Sequence, residues 1–147
     1  MTGYAGDSSA KNIIADKENE KKLLGRYPKS FFSVYRGPSE PSVLVEGAFD
    51  SESAADGGVL AALWRLLKRN SLGGEYSQRA IPVRQQCIEI CEFFGLNPYQ
   101  LDSEGCTVWL LDEDRSEGLN VIGKTAKGPA IKRTDGETVS YLRKPGT

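Results

Sequence analysis

The feature that most constrains the fold is an apolar helical run that begins directly after two glycines. Following the glycines at 57–58, apolar residues recur at helical spacing over 59–67, and two cations stand at 68–69. A helix with one apolar stripe must pack against other structure, and cations at its carboxyl end suit the helix dipole. Glycines at a helix start also let backbone N–H groups approach an anion. This helix start is therefore the first candidate site.

Three other segments carry helical signals. Residues 83–94 place their apolar side chains on one face, with Pro82 at the expected start and Gly95 at the expected end. Asn97 and Pro98 are typical of a cap and a first helical position. We therefore predict helices over 8–25, 83–94 and 96–101 in addition to the run after Gly58.

Short apolar segments bounded by turn residues predict the strands. They lie at 42–47, 75–81, 106–111, 119–124, 129–133 and 138–142. The run CTVWLL at 106–111 is the most apolar, so we predict it to be central and buried, and we predict 48–56 to be a loop. Helices and strands alternate early, while the last third is mostly β. This order favours an α/β (α+β) fold with a mixed sheet and packed helices.

The length and charge of the chain exclude several classes of protein. A chain of 147 residues is predicted to form one domain over 1–147, with a flexible segment at 1–10. The net charge of −1 gives no electrostatic case for nucleic acid. No apolar run reaches the roughly 18 residues of a membrane span, and the start lacks a leader-like pattern. We therefore predict a cytoplasmic protein.

The absence of histidine excludes Ser-His and Cys-His nucleophilic pairs and His-ligated zinc within this chain. The three cysteines, Cys87, Cys91 and Cys106, do not suggest a disulfide framework. Cys87 and Cys91 lie four residues apart on one helix face, which could be half of a metal site. Because that face is the apolar one, we interpret them as buried structural residues.

The loop before the apolar helix offers two interpretations. Gly57 and Gly58 permit a tight entry into the helix, which needs no ligand. Alternatively Glu52 or Asp56, with Asp50 nearby, could hold a hard cation such as magnesium through carboxylate oxygens. Those carboxylates disfavour a bare anion at the helix start.

Two further segments are weaker candidates. Ser103 and Gly105 could line a cleft, or could only form the turn into the strand at 106. The segment 3–11 loosely resembles a phosphate-binding loop but lacks the spacing of one. We interpret Ser8 or Ser9 as a helix cap.

Taken together, three runs resemble one family: GGVLAALWRLLKRN at 57–70, IPVRQQCIEICEFFGLNPYQLDSEGCTVWLL at 81–111 and VIGKT at 121–125. They are similar to the C-terminal domain of the aminoimidazole ribonucleotide (AIR) synthetase superfamily, in its AIR synthase-related, hydrogenase-maturation-like branch. The resemblance implies an α/β sandwich that closes one side of a nucleotide cleft. In this family a separate N-terminal domain carries the ATP and magnesium site, and this chain has no segment that resembles that domain.

The resemblance also exposes a departure in the loop. Family members typically carry Asp-x-Thr-x-Gly-Gly, and the Asp helps some of them to bind magnesium. Counting back from Gly57 and Gly58, Ser53 stands at the Asp position and Ala55 at the Thr position. The resemblance therefore implies a glycine turn whose ligand atoms are largely lost.

Three functions follow as alternatives. The first is a non-catalytic binding or interaction protein with a degenerate nucleotide or phosphate cleft. The second is one half of an ATP-dependent phosphoryl-transfer or ligase-type enzyme, completed by a separate ATP-binding domain. The third is a sensor of a small ligand or nucleotide. We expect no cofactor in the chain alone, with ATP and Mg²⁺ only if a partner domain completes the cleft. We expect the partner to be a second copy or that ATP-binding domain.

Overall fold

The computed structural model describes residues 1–38 and 43–146, and in these residues helices pack against two small β-sheets. The helices are α1 (Asp7–Ala15), α2 (Lys17–Leu24), α3 (Gly58–Arg69) and α4 (Gln85–Phe94). The strands are β1 (Asp50–Ser53), β2 (Gly73–Tyr76), β3 (Thr107–Leu110), β4 (Gly123–Ala126), β5 (Ile131–Arg133) and β6 (Ser140–Tyr141). Short 3₁₀ segments occupy Lys29–Tyr35, Gln78–Ala80 and Glu113–Arg115. No helix in this part of the chain is long and apolar enough to cross a bilayer.

The two longest helices follow the predicted pattern. Helix α3 begins at Gly58, after Gly57 in the left-handed conformation, and buries most of its apolar stripe. Helix α4 ends at Gly95, which is also left-handed, with φ 68°. It begins at Gln85, three residues after Pro82, so the predicted start at residue 83 is two residues early.

The charged helix predicted over 8–25 is two helices. Asp16 separates α1 from α2 because its backbone is extended and its side chain accepts hydrogen bonds from the backbone N–H groups of Glu18 and Asn19. The prediction that Ser8 or Ser9 caps the helix is wrong. Gly6 precedes α1 in the left-handed conformation, and no side chain caps it.

Two sheets replace the single sheet that was predicted. Strand β1 pairs antiparallel with β3, from Asp50 opposite Leu110 to Ser53 opposite Thr107. The other sheet has the order β4-β2-β5-β6, with β2 and β5 parallel and the other pairs antiparallel. The second sheet is mixed, so the α/β (α+β) fold class is confirmed.

Several strand predictions are corrected. The loop predicted over 48–56 contains β1, while no strand occupies 43–47 and Ser42 lies outside the described residues. The run at 106–111 forms β3, but in a two-stranded sheet rather than a central position. Segment 96–101 is a turn in which Asn97 Oδ1 accepts a hydrogen bond from the Tyr99 N–H (3.0 Å).

The hydrophobic core consists of two clusters. The larger one packs α3 against β2, β3 and β5, through residues such as Leu66, Val108 and Ile131. The smaller one joins α1, α2 and α4 around Phe32 and Ile90. Helix α3 thus contributes many residues to the larger cluster, and its amino end follows the loop at 52–58.

Candidate functional site

The two glycines at the start of α3 adopt a conformation that other residues avoid. Gly57 has φ 85° and Gly58 has φ 86°, both in the left-handed region. A Cβ atom at Gly58 would lie 2.7 Å from backbone atoms of Tyr99, Gln100 and Leu101. The glycines therefore serve a tight entry into the helix and a close approach of two backbone segments.

The positive end of α3 is occupied by groups of the chain itself. The Gly57 N–H donates to the Asp102 carboxylate (2.8 Å), and the Leu60 N–H donates to the Tyr99 carbonyl (3.2 Å). A carboxylate at a helix start is favourable because it meets the helix dipole. Asp102 was not predicted, although it is an acidic residue directly before the candidate turn at 103–105.

Glu52 faces two arginines of α3 rather than an open cleft. Its two carboxylate oxygens accept hydrogen bonds from Arg65 Nε (2.7 Å) and Arg69 Nη1 (3.0 Å). The hydrogen bond from Arg65 is the main reason why the pKa of Glu52 lies below its usual value. Asp50 accepts from Arg69 Nε (2.9 Å), which likewise lowers the pKa of Asp50.

Arg65 also holds the rest of the loop. Its guanidinium donates to the backbone carbonyls of Ser53 (3.3 Å) and Asp56 (2.9 Å). The Ser53 hydroxyl accepts from the Ala55 N–H (3.1 Å), while the Asp56 side chain is exposed. The loop is thus fastened to α3 by Arg65, and the Ser53 oxygen is used in a local turn.

The turn at 103–105 lies beside the loop and is structural. Ser103 is fully buried; its Oγ donates to the Leu101 carbonyl (2.7 Å) and accepts from the Gly6 N–H (2.7 Å). The Ser103 N–H donates to the Ala54 carbonyl (2.8 Å), which brings the two predicted segments together. Gly105 is left-handed, with φ 81°. Ser103 therefore connects the first residues of the chain to the loop.

A second cleft, of about 320 Å³, adjoins the segment 3–11. Asp7 lies in its lining and accepts hydrogen bonds from the Tyr35 hydroxyl (2.7 Å) and Arg84 Nε (2.8 Å). The Arg84 guanidinium lies 4.1 Å from the centre of the Tyr4 ring. Burial and the hydrogen bond to Asp7 raise the pKa of Tyr35. This network fixes the side chains around the cleft.

The cysteines and carboxylates of the described residues form no set of metal ligands. No group of three or more Cys, Asp or Glu side chains within 1–38 and 43–146 has a suitable arrangement. Cys87 and Cys91 are buried in the smaller cluster with their sulfurs 3.9 Å apart. Burial also raises the pKa of Cys106 to about 12, which disfavours its thiolate.

A larger cleft, of about 460 Å³, adjoins β3. We call it the β3 groove: α3 residues such as Leu63 and Leu67, the strand segment 108–111 and the segment 119–125 line it. The exposed Val121 stands in this lining. Sequence patterns could not predict the groove, because three separate segments line it.

The relationship to known proteins is clearest in the solved structures. E. coli HypE shares 20% identity and a TM-score of 0.66, covering 99% of this chain and 48% of that one. Hydrogenase maturation protein HypE in complex with ATP shares 18% identity and a TM-score of 0.65, and the match covers 96% of this chain and 48% of that one. Thiamine monophosphate kinase from Aquifex aeolicus shares 18% identity and a TM-score of 0.56, and the match covers 90% of this chain and 48% of that one. The chain has the AIR synthetase fold. The resemblance stated from the sequence is thereby confirmed at the level of the fold.

Sequence comparisons give a narrower match. Carbamoyl dehydratase HypE of Azotobacter vinelandii is 35% identical over 63 residues, which are 43% of this chain and 18% of that protein. A HypE–HypF complex also has a similar fold over 65% of this chain, with a TM-score of 0.52. No protein-family model matches. The chain spans about half the length of the HypE and kinase structures and less of the curated relative.

Proposed function

We propose that this chain is a non-catalytic binding protein of the AIR synthetase type, in which the loop at 52–58 is structural. One observation carries the proposal: two of the groups that could hold a ligand there, the Glu52 carboxylate and the Gly57 N–H, are paired within the chain. Glu52 is bound by Arg65 and Arg69, and the Gly57 N–H is bound by Asp102.

The loop does not fit magnesium. A cation at Glu52 would have to displace at least one of two charge-assisted hydrogen bonds, and it would meet the positive guanidinium groups of Arg65 and Arg69. Mg²⁺ requires near-octahedral oxygen ligands, and Ala55 supplies no side-chain oxygen. We therefore assign the loop no step that passes through a metal ion.

The start of α3 does not fit a phosphate either. A phosphate at Gly57 would have to replace the Asp102 carboxylate, which already accepts from its N–H. If both anions stayed, they would repel each other at short distance. The glycine turn at 57–58 therefore supports the start of α3 and does not hold a nucleotide.

The main alternative is one half of an ATP-dependent enzyme. It is favoured by the match to about half of a HypE structure that contains ATP. Phosphoryl transfer requires groups on both sides of a cleft to position the substrate and to stabilise its charge. This chain alone would therefore not catalyse the reaction. A sensor of a small ligand or nucleotide is the other alternative, and the 320 Å³ cleft beside Asp7 is where it would bind.

We propose that the partner is a separate protein chain, which is supported by the similar fold of a HypE structure solved in complex with HypF. The ATP-binding domain expected as partner stays a prediction. The homodimer stays a prediction that light scattering tests at tens of micromolar. Three buried free cysteines support the proposed cytoplasmic location, because a reducing compartment keeps thiols free.

Isothermal titration with ATP and Mg²⁺ tests the proposal, with Glu52→Gln as the variant. We expect no saturable heat from either protein at millimolar nucleotide, and no hydrolysis. Magnesium-dependent binding that Glu52→Gln abolishes would overturn the proposal. Binding that survives in Glu52→Gln and is lost in Asp7→Asn would support the sensor instead. Turnover that requires an added ATP-binding domain would support the half-enzyme.

A further inference from the structure

The mixed sheet β4-β2-β5-β6 has one buried face and one exposed face. On the buried face, Tyr76, Ile131 and Leu142 pack in the larger core cluster. Successive residues of a strand point to opposite faces, so Glu75 and Lys132 point away from that cluster. The register aligns four such residues in one row across the strands, and all four are exposed: Lys124, Glu75, Lys132 and Tyr141.

Cations dominate the part of the chain that forms three strands of this sheet. Residues 123–146 contain six Lys or Arg and two Asp or Glu, although the whole chain has a net charge of −1. Arg133 and Asp135 pair with each other, since Arg133 Nε donates to the carboxylate (2.8 Å). The other charged residues of the segment are exposed: Lys124, Lys127, Lys132, Arg143 and Lys144, and against them Glu137. Even with Glu75 of β2 counted, cations outnumber anions around this sheet.

The β6 end of the row adds apolar surface. Val139 is 66% exposed and Tyr141 is 56% exposed. They stand two residues apart, so strand alternation places both on the exposed face. Aromatic side chains are enriched where proteins bind one another, because burying the ring removes a large apolar area from water. The exposed face therefore combines positive charge with an apolar strip.

Glu75 decides which kind of anionic partner fits this face. It lies in the row between Lys124 and Lys132, whose strands are two spacings or about 10 Å apart. A nucleic-acid backbone carries a phosphate at every step and would bring negative charge against the Glu75 carboxylate. A protein segment can instead place separate carboxylates at the two lysines and an apolar side chain at Tyr141. The row of charges therefore favours a protein partner.

We propose that the exposed face of this sheet binds an acidic segment of a second, different protein chain. Carboxylates of that segment pair with Lys124 and Lys132, and an apolar side chain of the segment packs on Tyr141 and Val139. Charge guides the segment to the face, and burial of the apolar strip holds it there.

This inference rests on the proposed binding role and names the chemistry of the partner. Strand β1, which leads into the loop at 52–58, belongs to the other sheet. The nucleotide titration and the experiment below therefore test separate surfaces. A positive nucleotide result would overturn the structural role of the loop, and a negative peptide result would overturn only the partner site.

The test adds the peptide acetyl-Glu-Glu-Leu-Glu-Glu-Leu-amide to the ¹⁵N-labelled protein and follows amide shifts by NMR. We expect saturable shifts centred on Glu75, Lys124, Lys132 and Tyr141. Binding should weaken roughly threefold between about 50 and about 300 mM salt, because salt screens exposed charges. A peptide with Ser in place of both Leu residues keeps the charge but lacks the apolar contact, and it should bind roughly threefold more weakly.

Three variants locate the site. Lys132→Glu reverses a charge within the row and should weaken peptide binding roughly fivefold. Lys21→Glu makes the same change at an exposed lysine of α2 and should leave binding unchanged. Glu75→Gln removes the carboxylate from the row and should strengthen binding roughly threefold, a gain that misfolding cannot produce.

Equal weakening by Lys132→Glu and Lys21→Glu, or shifts centred on another surface, would overturn the proposal. Tighter binding of a thymidine hexanucleotide or of phosphatidylserine vesicles than of the peptide would also overturn it, because the occupant would then be a nucleic acid or an anionic membrane. Concentration-dependent shifts of this face without peptide, in a dimer seen by light scattering, would assign the face to a second copy and contradict the proposal.

Discussion

At the scale of single residues, contacts within the chain account for the candidate loop. Gly58 is required where α3 meets the backbone of 99–101, and Asp102 takes the helix N-terminus. The sequence indicated the glycine turn as one of two interpretations, since two glycines directly before an apolar helix permit a tight entry into it. It could not indicate Asp102, because that contact spans 45 residues and depends on the fold.

Gly58→Ala should destabilise the protein by about 2–5 kcal/mol, since it combines left-handed strain with a clash against three backbone atoms. Gly95→Ala is the matched control: Gly95 is left-handed, but a Cβ there meets nothing within 4 Å. It should cost only about 1–2 kcal/mol. Urea unfolding measures both, and equal losses would contradict the packing role of Gly58.

Asp102→Ala should cost about 1 kcal/mol, because the Gly57 N–H loses its acceptor at the helix start. Asp56→Ala removes an exposed carboxyl on the loop at 52–58 and keeps the backbone carbonyl that Arg65 contacts. It should change the free energy of unfolding by less than about 0.5 kcal/mol. A larger loss of stability for Asp56→Ala than for Asp102→Ala would contradict the role of the Asp102 carboxylate at the helix start.

At the scale of elements, strand β1 shows where sequence patterns fail. Its residues, Asp-Ser-Glu-Ser, have no apolar alternation, so a loop was predicted. The strand forms because its backbone pairs with β3 while its carboxylates bind Arg65 and Arg69. Helices α3 and α4 were predictable because their apolar periodicity and terminal glycines agree.

The ion pairs between β1 and α3 make stability depend on pH. The pKa of Glu52 in the folded protein lies below its ordinary value of 4.5, so the contribution of its ion pairs to the free energy of unfolding is fully present above about pH 4.5. That contribution is lost as the pH falls through the lowered pKa of the folded state. Glu52→Gln should therefore flatten the acid side of the stability curve, measured by urea midpoints from pH 6 downward. The exposed Glu117→Gln should leave the curve unchanged, and an unchanged curve for Glu52→Gln would contradict the ion pair.

At the scale of the whole molecule, the chain has the AIR synthetase fold, with a loop at 52–58 that is fastened to α3 and a groove that adjoins β3. The resemblance between sequences indicated the fold and the loss of ligand atoms at Ser53 and Ala55. The single-domain boundary at 1–147 stays a prediction. The groove was unpredictable, because α3, β3 and segment 119–125 meet only once the sheets have formed.

The central claim is that the loop at 52–58 supports the fold and binds no nucleotide. Amide shifts of Gly57 and Gly58, followed by NMR as ATP and Mg²⁺ are added, test it most directly. The account predicts no saturable shift at either glycine and none at Glu52 or Asp56. A saturable, magnesium-dependent shift at these residues would contradict it.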